Sequence, residues 1–130
     1  MQILIVDDHV MIRRGVRQLL SSSPAWTVCG EASSGEEAMA QAKALHPDLI
    51  LLDISMSDSN GLEVAARLRR EIPTMKIVIM SHHEKAQLLP PALEAGADAC
   101  VDKDSLGTDL LPTIESLVGS SDAPGAGKQS

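Results

Sequence analysis

The acidic pair Asp7 and Asp8, then Asp53, Ser81 and Lys103, each stand at or just past the end of a short apolar run that reads as a β-strand. In an open parallel α/β sheet the carboxyl ends of the strands share one rim, so side chains far apart in sequence converge there. Three carboxylates held together repel one another and favour a divalent cation, while a lysine and a hydroxyl suit an incoming anion. The set points to magnesium-assisted phosphoryl transfer to a carboxylate. Mg²⁺ takes oxygen ligands and keeps several waters, so one or two carboxylates suffice to hold it. Phosphoryl transfer asks the protein mainly for positioning and charge stabilisation.

Each residue alone has an ordinary role. Asp7 or Asp8 could cap the following helix, Asp53 could sit in a turn, Lys103 could be a solvated surface lysine, and Ser81 could satisfy a local amide. It is their common placement at strand ends that makes a site.

The elements that must position them are legible as alternation. Gln2 to Val6, Thr27 to Ala32, Asp48 to Leu52, Lys76 to Met80 and Ala99 to Asp102 are aliphatic or β-branched runs separated by helical patterns. This predicts a parallel sheet covered on both faces. Ile12, Val16, Leu19 and Leu20 form the apolar stripe of the first helix, Ala38, Ala42 and Leu45 that of the second, and Ala65, Leu68 and Ile72 that of the third. Leu110, Ile114, Leu117 and Val118 line the last. His46-Pro47 closes the second helix, Asn60-Gly61 opens the third, and Gly96 ends the fourth. Pro90-Pro91 predicts a short fourth helix starting near Pro90, because proline is tolerated in a first turn and costs about 3 kcal/mol in an interior. Pro112 falls early in the fifth. From Gly119 onward the composition is that of a mobile linker or a truncated end.

Composition narrows the function classes. A chain of 130 residues suits one domain. Phe and Tyr are absent and Trp26 stands alone, so the core must be aliphatic. Eighteen acidic against eleven Lys and Arg residues give a formal charge of −7, which disfavours direct contact with nucleic acid phosphates. No apolar run approaches a membrane span, and Gln2 to Val6 leads into Asp7 rather than a signal-peptide core, so the chain reads as cytoplasmic. Cys29 and Cys100 fall in apolar strand contexts and read as buried free thiols.

ILIVDDH, PDLILLDISM followed by NGLE, the Ser81-His82-His83 step and AGADACVDKD, in this order, resemble the receiver domain of two-component response regulators. Gly30-Glu31-Ala32 through Gly35-Glu36-Glu37-Ala38 is similar to the NarL/FixJ (LuxR-type) subfamily. The likeness runs from about residue 1 to 118, which sets a receiver at 1–118 and a linker or tail at 119–130. It implies a flavodoxin-like (CheY-like) doubly wound α/β sandwich with a five-stranded parallel sheet of order 2-1-3-4-5 and five helices. It further implies a signalling receiver rather than an enzyme, one that promotes its own magnesium-dependent phosphorylation and dephosphorylation. By this resemblance Asp53 is the phosphoacceptor for a sensor histidine kinase, and Asp7, Asp8, Asp53 and the Ser55 carbonyl hold Mg²⁺. Ser81 and Lys103 meet the phosphoryl oxygens, and His83 with Ser55 tunes loss of the group. Homodimerisation on phosphorylation and DNA binding through a helix-turn-helix domain outside this chain complete what the subfamily implies.

Several positions depart from the family pattern. Cys100 occupies the place of an aromatic switch residue, and Ser57 replaces the proline usual after Met56. His82 and His83 do not read as a chelating pair, since adjacent residues of an extended strand end point to opposite sides; His82 is placed to restrict access to the phosphoryl pocket. Three other classes stay open on sequence. A pseudo-receiver that signals without phosphate is one. A magnesium phosphatase with an aspartyl nucleophile is another, although Ser55 stands where that class carries a second acid. A flavin-binding domain is the third, although no Ser/Thr/Gly-rich phosphate loop follows the first strand.

Overall fold

Five strands, β1 (Gln2–Val6), β2 (Thr27–Ala32), β3 (Leu49–Asp53), β4 (Lys76–Ser81) and β5 (Ala99–Asp102), pair in parallel in the order β2-β1-β3-β4-β5. The structure is a computed structural model that describes residues 1–56, 59–82 and 85–122. Five helices connect the strands: α1 (Val10–Leu20), α2 (Gly35–Leu45), α3 (Gly61–Glu71), α4 (Lys85–Glu94) and α5 (Leu106–Asp122), the last preceded by a 3₁₀ turn at Lys103–Ser105. This is the flavodoxin-like order that the family resemblance implies.

Side-chain alternation along the strands divides the core in two. Leu4, Val6, Ile50, Leu52, Ile77 and Ile79 face Ala38, Ala42, Val64, Leu68, Leu88 and Ala92 of α2, α3 and α4. Ile3, Ile5, Leu49, Leu51, Val78 and Met80 face Val16, Leu20, Leu110 and Ile114 of α1 and α5. All the Ile and Leu residues of β1 and β3 are fully buried, each contributing about 1.5–3 kcal/mol relative to an exposed position. Trp26 precedes β2 at the amino end of the sheet and packs on the α1/α5 side.

Local signals act as expected at three helix ends. The Asn60 side chain accepts from the Leu62 amide at the start of α3, His46 takes a left-handed φ of 48° after α2, and Gly96 takes φ 104° after α4. Ser34 adds a cap at α2, where its hydroxyl accepts from the Glu37 amide.

The fourth helix differs from expectation. It starts at Lys85, and Pro90 and Pro91 lie in its interior. Neither imide can donate to the carbonyl four residues earlier, at Ala86 and Gln87. Burial compensates: Leu88 and Ala92 are sealed against the sheet while both prolines lie exposed. Pro112 is likewise exposed inside α5. That helix continues to Asp122. Leu45 is 43 % exposed rather than core, because α2 ends there as the chain turns away. Cys100 is buried as expected, but Cys29 is only partly so, its Sγ 3.5 Å from the Ile3 carbonyl; burial raises its thiol pKa.

Candidate functional site

Asp7 follows β1 directly, Asp53 ends β3, Ser81 ends β4, and Lys103 opens the turn after β5. The parallel sheet therefore brings them to one rim, and all four are buried. Lys103 Nζ lies 2.6 Å from Asp7 Oδ2 and 2.9 Å from Asp53 Oδ1. Burial alone would lower the lysine pKa; hydrogen bonds and charge from Asp7 and Asp53 outweigh it and hold the ammonium above its usual 10.5. Ser81 stands opposite Asp102 in register on β5.

The Asp53 carboxylate is asymmetric. Oδ1 accepts from the Ser55 amide at 3.0 Å as well as from Lys103. Oδ2 is buried and, among the described residues, has no hydrogen-bond partner. An oxygen in that condition is costly unless a ligand uses it. The backbone behind it is crowded. A Cβ on Gly61 would lie 2.5 Å from Ile54 Cα and 2.7 Å from the Asp53 carbonyl oxygen, so only glycine lets α3 start so close to the strand end. A short antiparallel ladder pairs Ser55 with Asn60 and Met56 with Ser59. Sequence reasoning missed that ladder, since two-residue pairings have no periodicity to detect.

At this rim Asp7, Asp8, His9 and Asp53 form a metal-competent cluster, with one potential ligand atom from each lying within 4.8 Å of the others. His9 was not anticipated. Its Nδ1 stands 3.0 Å from both Asp7 Oδ1 and Asp8 Oδ1, and its amide donates to Asp7 Oδ1 at 2.8 Å. The Asp-x-His spacing ahead of a helix was the available signal. Two of the three carboxylates, Asp7 and Asp53, share the single Lys103 ammonium, and the excess of acidic oxygens suits a divalent cation. Ser55 is exposed at this rim, and its amide is the donor to Asp53 Oδ1.

The response regulator receiver domain model matches residues 3–115. The chain belongs to that family. Within it, the nitrate/nitrite response regulator NarL of Escherichia coli K12 is 45 % identical over 112 residues, covering 86 % of this chain and 52 % of that protein. This receiver thus spans about half the length of the curated relatives it matches. Among solved structures, a LuxR-family two-component response regulator from Aurantimonas sp. SI85-9A1 shares 30 % identity with a TM-score of 0.85, covering 91 % of this chain and 84 % of that one. The NarL signal receiver domain of Mycobacterium tuberculosis shares 32 % with a TM-score of 0.82, over 91 % and 95 %. These relatives set the receiver in the NarL/FixJ subfamily.

Against that background the departures can be located. Cys100 is 1 % exposed in the α2/α3/α4 core, so the aromatic switch position is filled by a small buried thiol. His82 is exposed, with Nδ1 3.3 Å from Asp104 Oδ1, and lies near Asp102. Ser57 and His83 lie outside the described residues.

Proposed function

We propose that this receiver accepts a phosphoryl group on Asp53 from the phosphohistidine of a sensor histidine kinase and thereby switches an output surface. The observation that carries this reading is the division of labour in the Asp53 carboxylate: Oδ1 held by the Ser55 amide and Lys103, Oδ2 buried without a partner among the described residues. Oδ2 attacks phosphorus, the P–N bond breaks, and its electron pair stays on the imidazole, which takes a proton from solvent. Lys103 meets the charge on the phosphoryl oxygens and the Ser81 hydroxyl donates to one of them. Asp7, Asp8 and Asp53 with the Ser55 carbonyl are the residues that would hold Mg²⁺, which when bound would neutralise phosphoryl charge. The charge imbalance of the cluster supports that fit. The same residues serve phosphorylation from small phosphodonors and hydrolysis of the acyl phosphate.

On this reading residues 1–118 form the switching unit. The chain from 119 to 130, helical as far as Asp122, leads toward a LuxR-type helix-turn-helix effector through which the whole protein binds DNA, with homodimerisation on phosphorylation. A cytoplasmic location fits a kinase-fed regulator. Among the described residues no helix is long and apolar enough to cross a membrane. The test is intact-mass measurement after incubation with Mg²⁺ and acetyl phosphate. One acid-labile phosphoryl group on the wild type and none on Asp53→Asn is expected. Equal labelling of both moves the acceptor elsewhere, and no labelling of either favours a pseudo-receiver.

A further inference from the structure

The acidic pair is gripped from behind by a residue outside the site. Arg13, on the first turns of α1, donates through Nη1 to the backbone carbonyl of Asp7. Its Nε donates to Glu31 Oε1 at 2.9 Å, at the carboxyl end of β2. Arg17 binds the other carboxylate oxygen of Glu31 at 2.6 Å, so Glu31 holds the Arg13 fork in place. The two peptides that flank the Asp7 Cα are thereby both held, the Asp7 amide donating to the Ala32 carbonyl at 3.0 Å and the Asp7 carbonyl accepting from Arg13.

We infer that Arg13 is a positioning residue for the Mg²⁺ site, acting through the Asp7 carbonyl on the direction of the Asp8 carboxylate. This rests on the reading of Asp7 and Asp8 as magnesium-binding residues. The Asp7 carbonyl and the Asp8 amide belong to one planar peptide, so rotating that plane turns the Asp8 Cα–Cβ bond. Hydrogen bonds that orient metal-binding groups from outside the ligand set change metal affinity by 10–100-fold when lost.

Charge alone makes the opposite prediction. Arg13 is a cation close to the cluster, so by Coulomb repulsion its removal should tighten Mg²⁺ binding. The two effects separate by sign. Mg²⁺ affinity is measured by calorimetry on wild type, Arg13→Gln, Arg13→Lys, Arg17→Gln and Asp8→Asn, with folding checked by urea titration in EDTA. Arg13→Gln should bind roughly tenfold more weakly. Arg13→Lys should also weaken binding although its charge is kept, because one ammonium cannot reproduce the fork between Asp7 and Glu31. Arg17→Gln, which touches Glu31 but not Asp7, should stay close to wild type. Phosphorylation of Arg13→Gln by acetyl phosphate should recover at saturating Mg²⁺.

Unchanged or tighter binding in Arg13→Gln overturns the inference, as does an equal loss in Arg17→Gln. If Arg13→Gln does not fold, Arg13→Lys decides in the same way. Failure of the underlying reading is distinct: wild type would then not bind Mg²⁺, or Asp8→Asn would bind as well as wild type.

Discussion

Arg69 and Lys103 are both cations seated among oxygens at opposite ends of the same sheet, and they end in opposite conditions. At the amino ends of β4 and β5, Arg69 donates to the carbonyls of Gly96, Pro73 and Met75 at 2.7–2.8 Å and to Asp98 Oδ2 at 2.7 Å. Asp98 Oδ2 also accepts from the Ile77 amide. Charge and donors there are matched within the chain. At the carboxyl ends, Lys103 is shared between Asp7 and Asp53, a third carboxylate stands near, and Asp53 Oδ2 is buried without a partner among the described residues. A matched cluster is a staple; an unmatched one is completed by something from outside the chain.

Breaking the matched cluster should have the largest effect on folding. Arg69→Ala leaves three carbonyls and a carboxylate short of donors and should cost about 3 kcal/mol. Urea unfolding would reveal it, and phosphorylation at Asp53 should persist under folding conditions. A cost near zero would mean that water replaces the guanidinium and that the two clusters do not differ as described.

The unmatched cluster should respond in the other direction. Asp53→Asn removes one of three like charges and should stabilise the metal-free protein by roughly 1 kcal/mol, as expected where function holds strained charge. In wild type, Mg²⁺ should raise the melting temperature more than in Asp53→Asn, since a ligand that binds only the folded state stabilises it by mass action. Destabilisation by Asp53→Asn in EDTA would show that the Lys103 pair outweighs the repulsion.

Glu31 falls between the two. Hydrogen bonding to Arg17 and then to Arg13, against the opposing effect of burial, holds its carboxyl below the usual 4.5. A depressed folded pKa contributes stability that is present above the unfolded value and lost as pH falls through the folded one. Glu31→Gln should therefore cost under about 1 kcal/mol at neutral pH, and the difference should vanish as the pH drops below that carboxylate range. Thermal melts of both proteins across the acid range check it; a difference that persists in strong acid would point to packing rather than charge.

What the sequence made legible follows from which interactions leave a local trace. Asp7, Asp53, Ser81 and Lys103 each end an apolar run, and a parallel sheet converts that placement into a site. Arg69 left no trace, because most of its acceptors are backbone carbonyls contributed by loops. Arg13 was invisible for the same reason, as its key acceptor is the Asp7 carbonyl. The start of α4 is not legible from its prolines, because their cost is offset by the burial of Leu88 and Ala92, which depends on tertiary packing. Periodicity extends the α2 stripe to Leu45, but the helix terminus leaves that position in solvent.

The position of Trp26 gives the molecule an optical character of its own. The indole is the only Trp, Tyr or Phe side chain in the chain and sits before β2, at the end of the sheet away from the acidic cluster. Strands of five or six residues put it on the order of 15–20 Å from that rim. Its emission is therefore a gauge of whether α1 and α5 remain docked on the sheet. Events among the carboxylates take place in an aliphatic setting that neither absorbs nor emits in the near ultraviolet, so phosphorylation is spectroscopically quiet unless it loosens the far end of the fold.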